Sequence, residues 1–112
     1  MPRVKSQAQI RHRKIKKLTK GFKQSRGTRI KAGKEASMHA GQYAYVGRKL
    51  RKRDIRALWI VRISAAAKEN GTTYNKLIKG LKDKKIEIDR KILSDLAVND
   101  PKAFQKIVSE IK

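Results

Sequence analysis

The chain has 112 residues, with 31 lysine and arginine against nine aspartate and glutamate, a formal net charge of +22. A balance of that kind points to a polyanionic partner, nucleic acid above all, and the length suits one domain at most. The absence of cysteine excludes a disulfide framework and a thiolate metal site, and no apolar run approaches the ~20 residues that a membrane span needs.

Met1-Pro2-Arg3 leads into no apolar signal-peptide stretch, so a soluble protein of a reducing intracellular compartment is expected. Residues 1–62 hold 20 basic and two acidic residues, whereas residues 63–112 hold 11 and seven. The first part reads as a polyanion-binding arm, and only the second has the composition of a globule. Within residues 1–40 the apolar positions are few: Val4, Ile10, Ile15, Leu18, Phe22, Ile30 and Met38. Such a segment buries too little to offset the entropy of ordering it. Disorder or fraying helix is expected there in the free protein, with folding on the partner. Ile15, Leu18 and Phe22 give modest helical spacing, which Gly21 interrupts, and Ser25-Arg26-Gly27-Thr28 reads as a further turn.

From Gly41 to Asn70 the pattern predicts one long helix. At about 100° per residue, Leu50, Asp54, Ala57, Leu58, Val61 and Ala65 share one arc. Cations cover most of the remaining circumference up to Arg56, with Lys49/Arg53 and Lys52/Arg56 repelling at i,i+4. Such a helix gains its stability from a polyanion around it. Past Arg56 the surroundings turn apolar. Trp59 has Ile55, Ile63 and Ala66 on its face and Leu58, Val61 and Ala65 on the other, so a core role is expected for it. The helix should end at Asn70-Gly71, with Gly71 left-handed.

Thr72 or Thr73 can cap a short helix carrying Tyr74, Leu77, Ile78 and Leu81 at i, i+3, i+4 and i+7. Lys82 to Lys85 form a polar connector. Asp89 is a candidate cap for a helix burying Ile92, Leu93, Leu96 and Ala97. Asp100-Pro101 starts a last helix with the stripe Ala103, Phe104, Ile107, Val108 and Ile111. Three short helices are near the lower limit for an independent core. They need a lid, which Leu58, Trp59, Val61 and Ile63 are expected to supply. The fold class is therefore all-α: a long basic N-terminal helical extension over residues 1–57, leading into a small helical bundle over residues 58–112. No alternating pattern lasts beyond Ile86-Glu87-Ile88.

Catalysis would need a nucleophile with its base, paired carboxylates or metal ligands. His12 and His39 lie apart in the arm, and the acids fit caps and surface charges. Gly41 to Gly47 contains no phosphate-cradling motif. No enzyme activity, cofactor, metal or small-molecule substrate is expected. Binding chemistry is richer. The arm offers Arg3, Lys5, Arg11, His12, Arg13, Lys14, Lys16, Lys17 and Lys20, followed by Lys23, Arg26, Arg29, Lys31 and Lys34. The long helix adds Arg48, Lys49, Arg51, Lys52, Arg53 and Arg56. Arginine forks match phosphate and stack on bases, whereas lysine acts as a point charge. Phe22, Tyr43 and Tyr45 sit among these cations. They suit stacking on unpaired bases, although both tyrosines could equally pack along their own helix. Cations on most sides of a helix fit phosphates on most sides, which folded RNA offers and one DNA groove does not. Charge alone would also allow a DNA-compacting nucleoid protein.

Several blocks resemble one family. They are Arg3-Val4-Lys5, Lys20-Gly21-Phe22, Ala40-Gly41-Gln42-Tyr43-Ala44-Tyr45 and the run from Arg51 through Leu58-Trp59-Ile60 to Ile63. In the second half Tyr74-Asn75-Lys76-Leu77-Ile78-Lys79-Gly80-Leu81, Asp89-Arg90-Lys91-Ile92-Leu93 and Ala103-Phe104 fit at the same spacing. Together they make the chain similar, over essentially its whole length, to the bacterial-type large-subunit ribosomal protein L-twenty. The resemblance implies a helical extension threading into large-subunit ribosomal RNA, a small C-terminal domain, and neighbouring large-subunit proteins as partners. It also implies early RNA binding that supports subunit assembly and, in some members, repression of their own mRNA through the C-terminal domain. The ribosome of the cytoplasm, or of the plastid stroma, would be the location. Two departures stand out. Lys23-Gln24 occupies the place of a second aromatic and a glycine, and Val46-Gly47 replaces an Arg-Asp pair, removing a charge contact and giving the long helix a residue able to bend it.

Overall fold

A computed structural model describes residues 6–111; every described element is helical. The helices are α1 (Gln7–Leu18), α2 (Ser25–Thr28), α3 (Ile30–Glu69), α4 (Tyr74–Asp83), α5 (Arg90–Asn99) and α6 (Pro101–Ile111). Two compact units divide the chain, Met1–Lys49 and Leu50–Lys112, and α3 contributes to both.

In the first unit Ser6 caps α1, its hydroxyl accepting from the Gln9 amide at 3.3 Å. The helix stops at Thr19, whose amide and hydroxyl both donate to the Ile15 carbonyl. Gly21, at φ +88°, then turns the chain, as its position in the sequence predicts. The Ser25–Thr28 turn tightens into a single helical turn. It is preceded by Gln24 at φ 56°, a left-handed conformation that a side chain disfavours. Packing centres on the start of α3. Thr19, Gly33 and Ala36 are buried, and a Cβ on Gly33 would lie 3.0 Å from the Arg26 carbonyl oxygen and 3.3 Å from Thr19 Cγ2. A side chain there would need these neighbours to give by a few tenths of an ångström. The helix α3 begins well before the expected Gly41, because Lys31, Ala32, Lys34, Glu35, Ala36 and Met38 are strong helix formers. Helix propensity carries this stretch, not apolar periodicity. Further along, Gly41 and Gly47 lie within unbroken helix, with open space where a Cβ would stand.

In the second unit α3 ends as the sequence predicts. Gly71 has φ +73°, the Thr72 amide donates to the Ala67 carbonyl and the Gly71 amide to the Lys68 carbonyl, which is the Schellman pattern. Thr73 caps α4 through the Lys76 amide, and Asp100 caps α6 through the Ala103 amide, with Pro101 in the first helical position. The end of α4 repeats the Schellman pattern, with Lys85 at φ 56° in the left-handed place and Ile86 following it onto the core. Ile63, Ala66 and Ala67 of α3, Leu77 and Leu81 of α4, Leu93 of α5, and Phe104 and Val108 of α6 form that core. Helix α6 packs on α4 and α5. Its contact with α4 is close enough that a Cβ on Gly80 would run into Ile111 Cγ2.

The lid differs from the expected one. Ile63, Ala66 and Ala67 cover the bundle, whereas Leu58, Val61 and Ala65 are exposed and Trp59 is half-buried. One face of a helix meets the core, and at 100° per residue Leu58, Val61 and Ala65 lie opposite Ile63, Ala66 and Ala67. Ile92 likewise points to solvent while its neighbour Leu93 is buried.

Candidate nucleic-acid interface

The first unit presents its cations almost without loss. Arg11, His12, Arg13, Lys14, Lys16 and Lys17 of α1 are all exposed. Consecutive residues on a helix point 100° apart, so these side chains surround α1. On one face Gln9, His12, Arg13 and Lys16 line a shallow concavity of about 440 Å³. Lys20, Lys23, Arg26, Arg29, Lys31 and Lys34 are exposed as well. Arg3 and Lys5 lie outside the described residues. Phe22 is half-buried, so its ring is less open to a base than the sequence suggests.

The two tyrosines separate. Tyr43 is 76% exposed, with nothing holding its ring, whereas Lys49 Nζ sits 4.4 Å from the Tyr45 ring centroid. That cation–π contact occupies one face of Tyr45. Tyr45 thus pairs along its own helix through a cation one turn on, and Tyr43 remains the free stacking surface. Arg48 is exposed beside them.

In the second unit Arg51, Lys52, Arg53 and Arg56 all point to solvent, with Asp54 the one acid among them. Like charges at i,i+4 destabilise an isolated helix by a few tenths of a kcal/mol each. A phosphate between two cations reverses that sign. Arginine and lysine on successive faces can therefore hold several phosphate groups at once, each contact releasing counterions. Among the described residues no cluster of three or more histidine or acidic side chains is placed to hold a metal; His12 and His39 stand exposed in the basic region.

Sequence reasoning singled out no binding residue beyond Arg56. The second unit nevertheless carries a groove between Trp59 and Arg62 on α3 and the start of α5. The i,i+3 spacing of Trp59 and Arg62 was the available signal, obscured by the assignment of Trp59 to the core.

The family model described as Ribosomal protein L20 matches residues 3–107. A protein of Albidiferax ferrireducens named large ribosomal subunit protein bL20 is 53% identical, over 100% of this chain and 96% of its own length. Proteins of the same name from Delftia acidovorans and Ralstonia pickettii are 52% and 50% identical over 100% of this chain and 96% and 97% of their own lengths. The exposed cations and the helical bundle are thus set in a sequence matched from end to end. The chain belongs to the ribosomal protein L20 family, whose members are structural, non-enzymatic parts of the ribosome.

Proposed function

We propose that this protein binds large-subunit ribosomal RNA directly and early, neutralising phosphates where RNA helices converge, and so supports assembly of the subunit. The observation that carries the reading is the segment Arg48–Arg56, where six cations face solvent around one helix against the single acid Asp54. Helix propensity gives it a shape, and Asp54 is the one acid within it to offset six cations. The likeness to proteins named as large-subunit components supplies the RNA class. Exposed Tyr43 would stack on an unpaired base, and α1 would add a second set of phosphate contacts. Neighbouring large-subunit proteins complete the partner set, and the protein's own mRNA belongs to it if a fold there imitates the ribosomal site.

Binding to large-subunit ribosomal RNA, small-subunit ribosomal RNA and random duplex DNA at two salt concentrations tests the proposal. The expected result is a preference for large-subunit RNA that survives the higher salt. Equal binding to all three, collapsing together as salt rises, would overturn it and favour a DNA-compacting polycation.

A further inference from the structure

The groove in the second unit has a volume of about 640 Å³, within the range of about 300–1,000 Å³ typical of small-ligand clefts. Half-buried Trp59 lines it, with Arg62 one turn further along α3. Across from them, Asp89 holds the N-cap position of α5 yet makes no capping hydrogen bond, which leaves its carboxylate free for another donor. Lys91 and Asp95 flank it; Asp95 Oδ1 accepts from Asn99 Nδ2 at 2.6 Å, leaving its second oxygen. Ser94 also contributes to the wall. It is 1% exposed, and its hydroxyl has no hydrogen-bond partner. A buried hydroxyl without a partner is costly and uncommon; with its oxygen closed off from solvent, Ser94 floors the groove and leaves contact with an occupant to the exposed side chains around it.

We propose that this groove is a second RNA site, which takes one unpaired nucleotide whose base carries an exocyclic amino group. The inference rests on the RNA-binding reading above and deepens it. The groove's chemistry selects among occupants. Two carboxylates would repel a bare phosphate, and a purely apolar peptide would leave Arg62 and Lys91 unused. An unpaired nucleotide supplies a flat ring for Trp59, an anionic phosphate for Arg62 and Lys91, and amino hydrogens for Asp89 and Asp95. Cytosine, adenine and guanine donate from amino groups, whereas uracil's single N3–H sits between two carbonyl oxygens that the carboxylates repel. Discrimination against uridine follows.

Trp59 is the sole tryptophan, so intrinsic emission reports this groove separately from the basic arm. The full chain would be titrated with cytidine and uridine tetranucleotides while Trp59 emission and total binding are followed together. Saturable quenching is expected, with a midpoint about five-fold or more lower for the cytidine tetranucleotide. Asp89→Ala should erase that preference while far-UV circular dichroism shows the helices intact. Unchanged Trp59 emission once the tetranucleotide is bound, or equal midpoints for the two, would overturn the proposal without any variant. Retention of the preference by a folded Asp89→Ala chain would overturn it too. A silent Trp59 in a chain that still prefers large-subunit RNA sinks this site alone, whereas loss of that preference sinks the RNA reading itself.

Discussion

The two units reach order by different routes. Among the described residues of the first, the buried ones are small, Thr19, Gly33 and Ala36, and Gly33 keeps the closest of their contacts free of crowding. In the second, Phe104, Ile63, Leu77 and Leu93 are almost completely enclosed. Apolar burial scales with area, at roughly 25 cal/mol per Å², so large enclosed side chains stabilise the second unit far more. The first relies on helix propensity, caps and tight turns, each worth about 1 kcal/mol or less. The unit whose α1 cations we propose meet RNA phosphate therefore encloses little apolar area, while the second unit joins its proposed contacts at Arg51–Arg56 to the larger core.

Substitutions can break that contrast, beginning with the core. Phe104→Ala should destabilise the second unit by ~3–5 kcal/mol, measured by denaturant unfolding monitored through Trp59 emission. A loss under 1 kcal/mol would mean that α6 contributes little. The charged segment should respond in binding instead. Replacing Arg51, Arg53 and Arg56 together by Ala should flatten the log–log salt dependence of RNA affinity by about 2–3 units, with unfolding nearly unchanged. An unaltered slope would place the phosphate contacts elsewhere. Gly80→Ala should cost ~1–3 kcal/mol, because the new methyl meets Ile111; a thermal melt unchanged from the parent would show that the α4–α6 contact yields freely.

Smaller effects sharpen the comparison. Lys85→Gly should stabilise the second unit by up to ~1 kcal/mol by relieving its left-handed backbone, seen as a rise in melting temperature. Val61→Ala should stay within about 0.5 kcal/mol of the parent, since Val61 is 64% exposed. A large loss there would restore Val61 to the core.

Much of this architecture was legible before the structure. Gly21, Gly71, Thr73 and Asp100-Pro101 stand where the backbone requires them, because turn and cap chemistry depends on local geometry. The α6 stripe was legible for a related reason, as one apolar face alternated with a polar one. The orientation of α3 at its core end was not, because both its faces are apolar there and composition does not say which meets the bundle. Its early start escaped because propensity without periodicity is a weak signal. The departure at Gln24 falls on a left-handed backbone, where a glycine would sit without strain. The groove at Trp59 depends on residues about 30 positions apart meeting across two helices, a juxtaposition that spacing does not encode.

Gly41 and Gly47 sit within α3 with empty space around their α-carbons, and each weakens the helix by roughly 1 kcal/mol relative to alanine. Amide hydrogens between them have no tertiary cover, and helices open first where such cover is thinnest. A helix continuous on paper should thus exchange with solvent as separate cooperative segments. Deuterium uptake is expected to be quickest around residues 41–47 and slowest around Ile63–Ala67, and RNA should slow the former while leaving the latter unchanged.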